Sequence, residues 1–68
     1  MDDISKKLGQ NLKRIREKKG MTQGDICRAM DFDRGYISSI ESGKRNPTLS
    51  TLKKLADALK VSVDELLK

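Results

Sequence analysis

The sequence has no histidine and no tryptophan, and it contains one cysteine, one proline, one tyrosine and one phenylalanine. With a single thiol and no imidazole, the chain can form neither an internal disulfide nor a Cys/His zinc site. It also lacks the paired nucleophile and base on which hydrolases and transferases depend. Two aromatic side chains are too few for a platform on which successive bases stack. We therefore expect no catalytic residue, no metal and no cofactor.

Long apolar runs are missing as well. No stretch approaches the ~18 residues that a membrane span requires, and the first residues lack the apolar centre of a secretory signal. We expect a cytoplasmic protein that neither crosses a membrane nor is exported. No pattern in the sequence indicates a small-molecule ligand.

What the chain has in excess is positive charge. Fifteen Lys and Arg residues against ten Asp and Glu residues give a net charge of +5 over 68 residues. This balance favours a polyanionic partner, either a nucleic acid or an anionic membrane surface, although charge that serves solubility alone is the alternative. The length predicts one domain, residues 1–68.

Apolar periodicity predicts five short helices and therefore an all-α fold. In the first, over residues 5–19, apolar side chains recur at helical spacing (Ile4, Leu8, Leu12, Ile15), and Asp2, Asp3 and Ser5 are suited to its N-terminus. Residues of cap type precede the other four helices: Thr22, Asp33, Thr48 and Ser62. We expect the second helix over residues 23–30 and the third to end near residue 41.

The second and third helices are separated by residues 31–33 alone. So tight a turn requires a steep crossing angle, and a crossing at close range requires a small residue such as Cys27. Residues 22–41 therefore have the organisation of a helix-turn-helix.

Several segments together resemble the phage Cro/C1-repressor type of helix-turn-helix proteins, also called the xenobiotic-response-element family. The segments are Met21-Thr22-Gln23, Ile26-Cys27, Tyr36-Ile37-Ser38, Ile40 through Leu49, and Leu55 through Leu67. The resemblance implies a five-helix lambda-repressor-like DNA-binding domain that binds double-stranded operator DNA, usually as a dimer on a palindromic site. The chain departs from the family with Asp31 where the turn usually has glycine, and with Gly24 and Gly35 inside short helices.

The outward residues near the start of the third helix are the candidates for reading bases: Arg34, Gly35, Ser38 and Ser39. The planar guanidinium of Arg34 can donate to both O6 and N7 of guanine. The alternative is a surface arginine that pairs with Asp31 or Asp33. Ser38 and Ser39 can contact bases or phosphates, or be merely solvated, and Gly35 either permits close approach to the groove or is neutral.

Five further residues are candidates for contact with the DNA backbone. Gln23 opens the second helix, where free helix amides favour a phosphate oxygen, and the resemblance implies a phosphate-binding glutamine there. Lys44, Arg45 and Asn46 form a basic turn that faces the DNA backbone in the family, and Arg45 can also reach the minor groove. Tyr36 can contact a phosphate or a thymine methyl group. The alternatives are a solvated glutamine, an ordinary polar turn, and a tyrosine that covers the first or fourth helix.

The same resemblance implies that Arg16 and Glu41 have a structural role, as a buried ion pair between the first and third helices.

We also expect a homodimer whose interface includes Val63, Leu66 and Leu67, since the fifth helix carries more apolar residues than one small core needs. Two recognition helices would then read half-sites one turn apart.

The sequence thus predicts a transcriptional repressor or regulator, associated with the nucleoid when bound. The first alternative is a protein-interaction module of the same fold, such as an antitoxin or adaptor. RNA binding ranks third, because the major groove of A-form helices is too narrow for a helix.

Overall fold

A computed structural model describes residues 3–68, which form five helices without any strand. The helices are α1 (Asp3–Lys18), α2 (Gln23–Met30), α3 (Arg34–Glu41), α4 (Leu49–Leu59) and α5 (Val63–Leu67). The predicted all-α fold with five helices is confirmed. Over this range no helix has both the length and the apolar character required to cross a bilayer.

Side-chain caps determine where four of the helices begin. Thr22, Asp33, Thr48 and Ser62 each accept a hydrogen bond from the backbone amide three residues further on. These amides have no partner within the helix, so a side-chain oxygen before the first turn stabilises the start. All four predicted caps are confirmed.

Helix α1 differs from its prediction at the N-terminus. It begins at Asp3 rather than at Ser5, and Ser5 lies inside the helix, buried, with its hydroxyl donating to Oδ1 of Asn46. Ser5 therefore joins α1 to the turn before α4 and does not serve as a helix cap. Asp2, which was expected to favour the same helix end, lies outside the described residues.

The turn between α2 and α3 depends on a left-handed aspartate. Asp31 has φ 60° and ψ 39°, a conformation that aspartate adopts more readily than most residues. The amide of Phe32 donates to the carbonyl of Cys27 at 3.1 Å, which closes the end of α2. Asp31 thus takes up the left-handed conformation at the position where the family usually has glycine.

One apolar core lies between the helices. Helix α1 packs against α3 and α5, while α2 packs against α3 and α4. The fully buried large side chains are Leu12, Ile26, Ile37, Ile40, Leu55, Leu59 and Leu66. The predicted placement of Ile4 on the inner stripe of α1 is wrong, because this side chain is 69% exposed. The buried apolar side chains of α1 begin at Leu8.

Candidate nucleic-acid interface

Helix α3 has a polar outer face and an apolar inner one. Ile37 and Ile40 are fully buried, whereas Arg34, Gly35 and Ser38 are exposed. Arg34 and Ser38 are four residues apart and therefore lie one above the other on one face of the helix. The structure thus places three of the four predicted base-reading residues on an open surface.

The guanidinium of Arg34 is free for an outside acceptor. Among the side chains of residues 4–68 the ion pairs are Arg16–Glu41, Arg28–Asp25 and Lys53–Asp57. Asp33 instead uses its carboxylate as the cap of α3, accepting from the amide of Tyr36 at 2.9 Å. The alternative in which Arg34 pairs with Asp31 or Asp33 is therefore wrong.

The two serines of α3 differ in their surroundings. Ser38 is exposed and its hydroxyl has no partner among residues 3–68, so it can both donate and accept. Ser39 is half-buried, and its hydroxyl donates to the carbonyl of Gly35 at 2.9 Å. Ser39 therefore keeps only acceptor capacity for another molecule while that bond lasts.

Tyr36 joins α3 to the basic turn that follows it. Its ring meets the ring of Phe32 edge-on, with centroids 5.1 Å apart, and the guanidinium carbon of Arg45 lies 4.9 Å from the Tyr36 centroid. Such a cation over an aromatic face is stabilised by the ring quadrupole. Sequence reasoning considered Tyr36 and Arg45 separately and missed their contact. The signal available was that the chain has one tyrosine and that a cation follows the end of the same helix within a few residues.

The basic turn at residues 43–46 is tightly closed. Gly43 has φ +80° and lies against Lys6 of α1, and the amide of Lys44 donates to the carbonyl of Ser39 at 3.0 Å. Lys44 and Arg45 are exposed. The side chain of Asn46 already accepts the hydroxyl of Ser5, so its amide nitrogen is the part that is left for DNA.

A buried ion pair connects α1 to the end of α3, as the resemblance implied. Arg16 Nε donates to Glu41 Oε2 at 2.7 Å and Arg16 Nη2 to Glu41 Oε1 at 3.1 Å, with the two side chains 10% and 5% exposed. The third nitrogen, Nη1, donates to the carbonyl of Met21 at 2.8 Å. The hydrogen bonds with Glu41 raise the pKa of the Arg16 guanidinium above its ordinary value.

Gln23 extends this pair to the surface. Its Nε2 donates to Glu41 Oε1 at 3.0 Å, and the residue is half-buried at the first position of α2. The solvated alternative for Gln23 is therefore wrong as regards its amide nitrogen. The sequence separation of eighteen residues hid this contact.

A capping box completes the N-terminus of α2. The amide of Thr22 donates to Asp25 at 2.8 Å, and the amide of Asp25 donates to the Thr22 hydroxyl at 3.1 Å. The backbone bond from Thr22 lowers the pKa of the Asp25 carboxyl, and the adjacent Arg28 contributes in the same direction. The box leaves the first two helix amides, those of Gln23 and Gly24, without an acceptor inside the helix.

The three residues predicted to form the dimer interface differ in their exposure. Leu66 is fully buried in the core and cannot take part in a contact between molecules, so that part of the prediction is wrong. Val63 is half-buried against the core, and Leu67 is 44% exposed. Leu67 instead joins Ile4, Pro47 and Leu49 along a groove of about 350 Å³. Leu49 is 83% exposed, so this groove holds an apolar surface that the sequence pattern did not locate.

Cys27, predicted to lie where the second and third helices cross, is buried in the apolar core. It is 8% exposed, and burial raises the pKa of its thiol. Within residues 4–68, whose side chains the structure describes, no group of Cys, Asp and Glu is arranged to hold a metal ion.

Comparison with known proteins agrees with this geometry. Residues 12–66 match the family described as Helix-turn-helix. The uncharacterized HTH-type transcriptional regulator y4dJ of Sinorhizobium fredii is 47% identical over 64 residues, which are 94% of this chain and 83% of the relative. The control protein C.MunI of a Mycoplasma species is 42% identical over 67 residues, 97% of this chain and 90% of the relative.

A solved structure with the same fold contains DNA. The restriction-modification controller protein C.Esp1396I, crystallised as a tetramer with its natural 35-base-pair operator, superimposes with a TM-score of 0.85. The two chains are 36% identical, and the match covers 100% of each.

Proposed function

This chain belongs to the helix-turn-helix family, and from that membership we propose that it binds double-stranded DNA sequence-specifically and regulates transcription, with α3 in the major groove. The relative C.Esp1396I is crystallised with its operator, and y4dJ and C.MunI are named as a transcriptional regulator and a control protein. A repressor or regulator of this kind acts in the cytoplasm, at the nucleoid.

The observation that carries the proposal is the exposed, unpaired guanidinium of Arg34 at the start of α3. Ser38 lies one helical turn further along the same face, and Gly35 beside them has no side chain. A bidentate arginine is the commonest specific contact to guanine, and each such contact discriminates by about 1–3 kcal/mol. Arg34 and Ser38 are therefore the base-reading residues, and Gly35 lets the helix backbone approach the bases closely.

Backbone contacts come from both sides of α3. Gln23 and the free amides of α2 meet one phosphate, because a helix N-terminus and a side-chain amide both donate to anions. Lys44, Arg45 and Asn46 face the phosphates beyond the end of α3, and Tyr36 supports Arg45 from below. Ser39 serves as an acceptor only.

A second copy of the chain is needed for a palindromic operator. The molecule measures 28 Å along its longest axis, which is less than the ~34 Å that separate two half-sites one turn apart. In the part of the chain that the structure describes, the most exposed large apolar side chains, Ile4, Leu49 and Leu67, all line one groove. We assign the dimer contact to this groove rather than to Leu66 and Val63.

The other functions fit the surface less well. A protein-interaction module that used α3 would present large apolar side chains there, and in residues 3–68 these lie on the groove instead. RNA is disfavoured because a helix cannot enter the A-form major groove. An enzymatic activity is not proposed, since the chain has no histidine and its one thiol is buried.

Selection of bound sites from random-sequence duplexes tests the proposal. We expect enrichment of two inverted half-sites and an affinity that falls steeply with salt, since Lys and Arg release counterions from DNA. Matched selections with Arg34→Ala and Lys53→Ala, each lacking one cation, separate base reading from net charge. Failure of the intact chain to bind any duplex at low salt would overturn the proposed function.

A further inference from the structure

The Gln23 side chain stands between a buried carboxylate and the surface on which the proposed DNA would lie. Its nitrogen is 3.0 Å from Glu41 Oε1, while Glu41 is itself held by two bonds from Arg16. Glu41 Oε1 therefore accepts from two donors, and the carboxylate is 5% exposed. These contacts make Gln23 part of a network that extends from α1 to the first turn of α2.

A carboxylate beside Gln23 determines which way the amide turns. An ionised carboxylate only accepts hydrogen bonds, so the amide must present its NH₂ group and not its carbonyl oxygen. One N–H is then used on Glu41, and the second N–H remains for another acceptor. A primary amide is uncharged and carries two N–H groups on one nitrogen, so that nitrogen can donate to two anions at once.

We propose that Glu41 is a positioning residue for phosphate binding: it holds the Gln23 amide so that the nitrogen bridges the buried carboxylate and a DNA phosphate. This inference rests on the proposed function. The phosphate would lie at the N-terminus of α2, where the amides of Gln23 and Gly24 lack helix acceptors. Arg16 neutralises Glu41, so the phosphate does not meet an uncompensated negative charge.

The orientation can be tested in the free protein by NMR of the side-chain amides. The chain has two glutamines, and Gln10, exposed on α1, is the internal control. We expect one Nε2 proton of Gln23 to be shifted downfield and to exchange more slowly than either proton of Gln10. Equivalent behaviour of the two glutamines would overturn the inference, whatever the protein does with DNA.

The effect on binding is tested with a mixed-sequence duplex at low salt, because a phosphate contact does not depend on base sequence. Gln23→Ala should weaken binding about tenfold, as expected for loss of one hydrogen bond to a charged group. Gln10→Ala should leave the affinity unchanged. An unaltered affinity for Gln23→Ala would show that Glu41 sequesters the amide instead of presenting it, and would overturn the inference.

Glu41→Gln, measured with and without Gln23→Ala, isolates the positioning effect. Removing the carboxylate also changes the local charge, but that change is common to both backgrounds and cancels. In the protein that retains Gln23, Glu41→Gln should weaken DNA binding by about fivefold more than it does in the Gln23→Ala background. Fivefold is the approximate cost of ordering one long side chain at an interface. Equal effects in the two backgrounds would overturn the inference. If Glu41→Gln does not fold, the NMR comparison and Gln23→Ala still decide it, and loss of binding by the unaltered chain would instead refute the proposed function.

Discussion

Gly9 of α1 lies directly against the backbone of Glu41 in α3. A Cβ added at Gly9 would come within 2.6 Å of the Glu41 carbonyl oxygen and still nearer to that of Ile40. Backbone atoms cannot rotate away as a flexible side chain can, so the two helices would have to separate. Glu41 is also the residue whose side chain forms the buried ion pair with Arg16 at the end of α3.

Gly9→Ala should therefore destabilise the fold by about 1–3 kcal/mol, the range for overpacking, even though alanine favours helix. The measurement is the free energy of unfolding in urea. Gly24→Ala is the matched control, because its Cβ would meet neighbours at 3.6 Å, which is ordinary contact. That variant should gain about 0.5–1 kcal/mol, the usual difference between glycine and alanine in a helix. A Gly9→Ala protein as stable as Gly24→Ala would contradict the close contact of Gly9 with α3.

Glu41→Ala should cost about 3–5 kcal/mol, since it leaves the Arg16 guanidinium buried without its partner. Thermal unfolding followed by circular dichroism measures the loss. Replacing both members with apolar residues of similar size, Arg16→Met with Glu41→Leu, should recover much of it. A melting shift for Glu41→Ala within experimental error would disprove the structural role of the pair.

The five helices and the starts of four of them were predictable because they depend on neighbours in sequence. A cap such as Thr22 or Asp33 acts on an amide three residues away, and periodicity assigns the inner face of α3. The limits of the core were not predictable in the same way. Ile4 and Leu49 have the correct spacing but are exposed in the first turns of α1 and α4. In α5, Leu66 rather than Leu67 is directed inward.

The same distinction, between features set by neighbours in sequence and features set by packing, applies to the candidate site. The outward positions of α3 follow from helix geometry, so Arg34 and Ser38 were found. The bond from Gln23 to Glu41 and the contact of Arg45 with Tyr36 join residues from different elements, and these depend on how the elements pack. Gly9 was missed because a mid-helix glycine has several possible meanings until its neighbour is known.

The capping box should make stability depend on acid pH. The pKa of Asp25 is lowered below its ordinary 3.8 in the folded protein, chiefly by the amide of Thr22. The unfolded chain therefore binds the proton more readily than the folded protein does. The contribution of Asp25 to stability is present above its unfolded pKa and is lost as the pH falls through its lower, folded pKa. Asp25→Asn should be less stable than the unaltered protein at about pH 7, and the difference should shrink as the pH falls below 3.8. A difference that persists unchanged in acid would contradict this.

Arg34→Ala and Lys44→Ala should weaken DNA binding in different ways. Loss of Arg34 should remove about 1–3 kcal/mol of discrimination at one base of each half-site. Loss of Lys44 should weaken binding to every sequence and reduce the salt slope by about 0.9. Titration of selected and scrambled duplexes at several salt concentrations measures both quantities, with Lys53→Ala as the charge control. Equal loss on selected and scrambled DNA for Arg34→Ala would exclude base reading by this residue.

The apolar groove predicts which leucines matter for self-association. Leu49→Glu places a carboxylate at the first turn of α4, where the helix dipole favours it, so the fold should remain intact. If the groove is the dimer contact, this variant should sediment as a monomer at concentrations at which the unaltered chain is a dimer. It should also bind a two-half-site operator more weakly than the unaltered chain while retaining its affinity for a single half-site.

Leu66→Ala is the matched comparison on the adjacent helix. It removes a fully buried side chain and should lower stability by about 2–5 kcal/mol. The portion that remains folded should still associate, because Leu66 does not reach the groove. Sedimentation velocity and circular dichroism on the same samples separate the two effects. A folded Leu49→Glu protein that remains dimeric would place the contact elsewhere on the surface.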